Sequence, residues 1–283
     1  MRLAYTLLLT AAVAATTAYF IRPASTTSAS TQESAYQRVV DSGVLRCGYA
    51  VAPPFFQQDP VTKTFSGINY DLIMALAKTL DLKVEWTEET GWGNFIAGLD
   101  ANRFDAFCTT VWPEAGRLKH AALTNPMFYS SAQVVVRADD TRFDNNLARL
   151  NDPAHKVVVV EADVTQELAA RHLPKATTHR LGQDTASAAQ MLLEVASGKA
   201  DATFAFSGLL EDFNKTNPGL LKYVPGVAAV QVFPEALAFK RQEMALVNMF
   251  NGARQALFDQ GEIDRLVQRY GLGMYATPPI TKP

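Results

Sequence analysis

The sequence predicts an α/β protein of two similar lobes joined by a hinge, on three observations. A strand–helix alternation runs through 44–108, the same alternation restarts after 134–136, and one more strand with two helices follows at 235–271. Alternating strands and helices imply parallel sheets with helices on their faces. At 283 residues the chain has length for two medium domains, each with a core of its own.

The stretch before the lobes reads as an export signal over residues 1–22. Met1-Arg2 precedes an uncharged apolar run over 3–21, and Arg22 closes it. Cleavage and retention both stay open. Ala12-Val13-Ala14 and Thr16-Thr17-Ala18 have the small-x-small form of a cleavage site, while residues 3–21 are nearly long enough to span a bilayer and serve as a membrane tether. Residues 23–35 follow as a Ser/Thr-rich linker with almost no apolar side chain to bury.

Residues 44–49 read as the first strand, stopped by Pro53-Pro54. Leu72, Ile73, Leu76, Ala77 and Leu80 then recur at helical spacing, with Lys78 where the helix dipole favours a cation. Leu82, Val84 and Trp86 alternate as a second strand, Phe95, Ile96 and Leu99 mark a short helix, and 104–108 forms a third strand. Beyond the polar loop 138–146, the β-branched run 157–160 suits a strand buried on both faces. Residues 168–173 and the set Ala188, Met191, Leu192 and Val195 mark two helices, and 202–206 another strand, with Ser207 expected to cap the helix after it. Residues 235–240 then form a strand, Leu246, Met249, Phe250, Ala253 and Leu257 one face of a long helix, and 263–270 a last helix closed by Gly271. This tail belongs with the first unit. Lobe 1 is therefore expected over 36–131 plus 231–283 and lobe 2 over 132–230, with two crossovers acting as a hinge. A cleft at the C-terminal strand ends of such sheets is where ligands bind.

Composition narrows the function. The chain has 26 Lys+Arg against 28 Asp+Glu, a formal charge of −2, with no basic stripe, so nucleic acid is not expected as a partner. The four histidines lack ligand spacing and no Cys/His cluster exists, so neither a metal nor another cofactor is expected. Cys47 and Cys108 each lie near a strand end, and two readings stand: a disulfide, which export permits, or two buried thiols. The segment TTVWPEAGR (109–117) follows the third strand and ends in Arg117. A guanidinium meets a carboxylate through a planar fork of donors, and strand-end hydroxyls and backbone N–H groups complete such a cradle. A small carboxylate-bearing ligand is the expectation. With no Ser-His-Asp set and no paired carboxylates at fixed spacing, the chain is read as a binding protein and not an enzyme.

The segments SGVLRCGYAVAPPF (42–55), FSGINYDLIMALAKTLDLKVEW (65–86), WGNFIAGLDANRFDAF (92–107), TTVWPEAGR, LTNPMFYSS (123–131), VASGKADATF (195–204) and YGL (270–272), in this order, resemble the bacterial extracellular solute-binding proteins of family 3, the polar amino-acid type. The resemblance implies the type II periplasmic-binding-protein fold, the venus flytrap. It also implies a periplasmic monomer, soluble or anchored to the inner membrane, that hands its solute to an ABC permease. Carried over by position, Arg117 clamps the ligand's α-carboxylate, Thr110 adds contacts at the strand end, and Trp92 lines the ligand's side; Phe55 is a further expected contact. Thr165, near a helix N-terminus that suits an anion, also contacts the carboxylate. The family's sheet order sets the strands of Cys47 and Cys108 side by side, which implies a disulfide. Three positions depart from the family's pattern. Phe206 stands where an Asp commonly holds the α-ammonium, Trp112 replaces a small hydroxyl residue, and Ala162-Asp163 replaces a common Gly. A more aromatic pocket follows, with Glu161 or Asp163 as the substitute anion. The resemblance also admits a cyclohexadienyl or arogenate dehydratase on the same scaffold, and a ligand-sensing receptor.

Overall fold

The computed structural model describes residues 34–161, 163–182, 187–271 and 273–278; the expected export signal and nearly all of the linker lie outside these residues. The elements in chain order are α1 (Ala35–Ser42), β1 (Val44–Tyr49), β2 (Gln57–Gln58), β3 (Phe65–Ser66), α2 (Ile68–Thr79), β4 (Lys83–Glu89), α3 (Phe95–Asp100), β5 (Ala106–Val111), α4 (Ala115–His120), β6 (Ala121–Leu123) and β7 (Phe128–Arg137). After a short 3-10 turn at Leu147–Leu150 come β8 (Lys156–Val160), α5 (Val164–His172), β9 (Thr177–Leu181), α6 (Ala188–Ala196), β10 (Ala202–Phe206), α7 (Leu209–Thr216), β11 (Leu221–Tyr223), β12 (Gln231–Lys240), α8 (Met244–Asp259) and α9 (Glu262–Tyr270).

The main sheet runs β4-β1-β5-β12-β7-β10-β8-β9 and has two halves. In one, β1 lies parallel to β4 and β5; in the other, β8 lies parallel to β9 and β10. The two ten-residue strands β7 and β12 join them. β12 pairs antiparallel with β5 through Ala236–Phe239 and with β7 through Gln231–Glu235, while β7 continues antiparallel to β10 through Ala132–Val136. The hinge of the two-lobed fold is therefore a pair of hydrogen-bonded strands, and a residue on either one is placed by both halves at once.

Side-chain alternation explains the layers. Leu45, Ile73, Leu76, Phe239, Phe250 and Leu257 pack β1, α2, β12 and α8 into one core. In the other half Val134, Val157, Val159 and Phe204 face α5, while Val135 and Val158 face Leu192 and Val195 of α6. Such strands are apolar throughout because both faces are covered. Edge strand β4 instead turns Lys83, Glu85 and Glu89 to solvent, which discourages pairing with another chain. Cys47 and Cys108, on neighbouring strands, are joined as a disulfide with their Cα atoms 5.5 Å apart.

Three local differences from the sequence reading have physical causes. The third strand extends past Cys108 to Val111, because Val111 still pairs with Ala236 of β12. Ser207 does not cap α7: its hydroxyl accepts from Ser131 N at 2.9 Å and donates to Gly273 O at 3.0 Å, while Gly208 takes the cap position in the left-handed region, φ 83°. Ala35 is already helical rather than linker, since Glu243 accepts from the N–H groups of Ala35 and Tyr36 at 2.8 and 3.1 Å. Among the described residues no helix is long and apolar enough to cross a membrane.

Candidate functional site

A cavity of about 1070 Å³ opens where the two halves of the sheet meet. Its first wall grows from the C-terminal end of β5. Thr109 Oγ1 accepts from Ala50 N and donates to Ala50 O, both at 3.0 Å, which ties the end of β1 to β5. Thr110 Oγ1 donates to Asn69 Oδ1 at 3.2 Å. Asn69 is held in the first turn of α2 by the crossing at Gly67, φ 111°, and its backbone N–H donates to Phe55 O at 3.0 Å. The segment FSGINYD thus places both Phe55 and Asn69 on the cavity.

Trp112 follows the strand and turns across to the other half. Its ring stacks on Phe233 at 4.2 Å and lies 5.5 Å from Phe206. The chain then enters the six-residue α4, which carries Arg117. Arg117 Nη1 donates to the Trp112 carbonyl at 3.0 Å and lies 3.4 Å from the exposed Glu114 carboxylate. Trp112 and Arg117 therefore fix one another. With 20% of its side chain exposed, Arg117 is shielded enough for a ligand carboxylate to gain from pairing with it.

The opposite wall comes from the start of α5 and the end of β10. Asp163 is the N-cap of α5, accepting from Thr165 N at 2.8 Å and Thr165 Oγ1 at 2.7 Å, and it lines the cavity with Val164, Glu167 and Phe206. Thr165 itself is fully buried; its hydroxyl also accepts from Val160 N at 3.0 Å, and it is not part of the cavity wall. Glu161 is exposed on the turn after β8 and likewise lies outside the wall. Of the residues singled out from sequence, the cavity thus gathers Phe55, Trp92, Thr110, Trp112, Arg117, Asp163 and Phe206, and leaves out Glu161 and Thr165.

The floor holds an acid that sequence reasoning missed. Glu235 of β12 is 4% exposed, and its Oε1 accepts from Ser130 Oγ at 2.6 Å and from Trp112 Nε1 at 2.9 Å. Burial pushes its carboxyl above the ordinary value, against the bonds from Ser130 and Trp112, the neighbouring Thr110 hydroxyl and the positive charge of Arg117. Its signal in the sequence is a single acid within the apolar run VFPEALAF, where an ionisable group needs dedicated partners. Among the described residues no group of three or more His, Cys, Asp or Glu is placed to hold a metal ion.

The order of elements, the two crossover strands and the cavity at the β5 terminus coincide with a known pattern, and residues 45–273 match the sequence model of the bacterial extracellular solute-binding proteins, family 3. The chain belongs to this family. A family relative from Haemophilus influenzae, a probable amino-acid ABC transporter-binding protein, is 29% identical over 226 residues, covering 75% of this chain and 78% of its own. Among solved structures, an ancestral cationic amino acid solute-binding protein matches with a TM-score of 0.69 and 25% identity, over 84% of this chain and 99% of that one. An ancestral cyclohexadienyl dehydratase matches with a TM-score of 0.56 and 26% identity, over 84% and 96%. This family-3 chain thus has solute-binding proteins and a dehydratase among its structural neighbours.

Proposed function

We propose that this chain is an exported substrate-binding protein that captures a small amino acid in the inter-lobe cavity and presents it to an ABC-type permease. The observation that carries the reading is Arg117, the one cation in the described cavity wall, held by Trp112 beside the hydroxyl-bearing end of β5. The acids Glu114, Asp163, Glu167 and Glu235 share that wall, so a ligand bringing a positive charge besides its carboxylate suits it better than a plain anion. The solved cationic amino acid binder supports the same class. Arg117 and Thr110 would hold the carboxylate, with Phe55, Trp92, Trp112 and Phe206 around the rest of the solute.

In this reading lobe 1 is 36–131 plus 231–283 and lobe 2 is 132–230, and closure is a bend of β7 and β12 driven by ligand contacts from both sides. The protein acts as a periplasmic monomer, after removal of residues 1–22 or tethered through 3–21. A thermal-shift screen of the exported protein against amino acids, dicarboxylates, keto acids and aromatic acids tests it. At a hundred-fold excess over Kd a true ligand adds about 2.7 kcal/mol to stability, and the reading fails if no amino acid raises the midpoint.

A second reading has one observation in its favour. Glu235, a buried carboxyl beside aromatic rings, suits a general acid acting on a ring substrate, as a dehydratase requires. Turnover of prephenate or arogenate by the purified protein would establish it.

A further inference from the structure

Glu235 differs from the other buried acids of the described chain. Asp105 pairs with Arg38 and Arg46, Asp140 with Arg137 and Arg142, and Glu194 with Lys199 and His179, while Glu243 accepts two helix N–H groups. Glu235 has neutral donors only, Ser130 and Trp112, and no Lys or Arg of the described residues lies within ion-pair distance of it. A charge taken out of water without a counter-ion is costly, and this one sits in a cavity wall, where a ligand can supply the counter-ion. A second group in the same wall is also incomplete: Asn69 is 1% exposed, yet its Nδ2 has no hydrogen-bond partner. Asn69 and Glu235 line the same wall at the end of β5, where the Thr110 hydroxyl donates its proton to Asn69 Oδ1. A free amide donor and a carboxyl without a counter-ion in one wall are of opposite polarity, matched to a solute with both an anionic and a cationic end.

The other acids are less suited. Asp163 is occupied capping α5, Glu161 lies outside the wall, and Glu114 and Glu167 are exposed, where solvent weakens their pull on a cation. Resting on the amino-acid reading above, we propose that Glu235 is a ligand-binding residue: its carboxylate takes an ammonium group of the solute whose carboxylate lies on Arg117. The hinge strand then carries the selectivity. Trp112 serves both ends, with its carbonyl on Arg117 and its indole N–H on Glu235.

Calorimetry with L-lysine and its two deamino analogues, L-norleucine and 6-aminohexanoate, tests this on the wild type, Glu235→Gln and Arg117→Ala. Wild type is expected to prefer L-lysine over one analogue by roughly ten- to a hundred-fold, the value of a charged hydrogen bond, and Glu235→Gln to lose that preference. A merely structural Glu235 would weaken all three ligands together and leave the ratios unchanged, which would overturn the proposal. Wild type binding the three alike overturns it without any variant. Where wild type binds another amino acid and not lysine, the comparison is made with that amino acid and its deamino analogue, and a ratio unchanged by Glu235→Gln removes the Glu235 assignment and leaves the amino-acid reading standing. Lysine selectivity that survives Arg117→Ala but not Glu235→Gln removes Arg117 instead. Prephenate turnover that disappears in Glu235→Gln would make the carboxyl a proton donor and also overturn the proposal.

Discussion

Replacing Arg117 separates the binding site from the fold. The side chain makes one hydrogen bond within the protein, to the Trp112 carbonyl at 3.0 Å, and one contact with exposed Glu114 at 3.4 Å. Together they are modest beside a whole fold: the first, from a charged donor, contributes about 1.5–3 kcal/mol and the second about 0–1 kcal/mol. Arg117→Ala should therefore lower the melting midpoint by about ten degrees at most and leave the protein folded. Binding should respond far more, because a ligand carboxylate brought into the cavity would lose its desolvated partner. That loss costs about 2–5 kcal/mol, or roughly thirty-fold to several thousand-fold in Kd. Arg117→Lys keeps the charge but not the planar fork, and should fall nearly as far. Calorimetry on wild type and both variants, with the best ligand from the thermal-shift screen, gives the comparison. An unchanged affinity in Arg117→Ala would remove the carboxylate clamp, and a loss of folding comparable to the loss of binding would show that Arg117 is chiefly structural.

The remaining predictions concern the framework around the site. The Cys47–Cys108 bridge closes a separation of 61 residues, and the chain-entropy relation gives about 4 kcal/mol for it, so Cys47→Ala/Cys108→Ala should lower the unfolding free energy measured in urea by that much; two free thiols in denatured, unreduced protein would disprove the bridge. Gly67→Ala should destabilise by about 1–3 kcal/mol and weaken binding, since φ is 111° and an added Cβ would lie 2.4 Å from Phe55 O; an unaltered melt would refute this. Asp140 is held below its ordinary value mainly by hydrogen bonds from Arg142, and Asp201 is also lowered, the Arg142 and Lys156 bonds outweighing the burial that opposes them. A depressed carboxylate contributes stability that is present above its unfolded value, about 3.9, and is lost as pH falls through its lower folded value. Melts should thus drop as pH falls below about 4, and Arg142→Ala should flatten that drop; an equal slope in both proteins would count against the network.

Local pattern carried most of the fold, because each element announces its own covered face. The four consecutive valines of β8 and the helical spacing of Leu72, Ile73 and Leu76 hold with no knowledge of what packs against them. The β5 wall of the cavity was legible for a similar reason: Thr110 and Arg117 lie within one short segment whose strand ends and helix begins in sequence. Thr165 shows where such reasoning stops. A helix start suits an anion, but its hydroxyl is engaged by Asp163 and Val160, and nothing local distinguishes an inward-looking first turn from one facing the cavity.

Glu235 marks the deeper limit. Its partners Ser130 and Trp112 are 105 and 123 residues away, and both faces of a hinge strand are covered, so alternation along β12 does not reveal which way the acid points. Two of the residues that looked like separate departures from the family pattern, Phe206 and Trp112, are one assembly in space. Phe206 lies against Trp112, Trp112 stacks on Phe233, and the same indole donates to Glu235. A phenyl ring at 206 cannot hold an ammonium as a carboxylate would, but it supports the indole that holds a carboxylate in place nearby. A substitution at 206 should accordingly be judged by its effect on Trp112 and, through the indole, on Glu235, because the ring at 206 packs against the indole that donates to that acid.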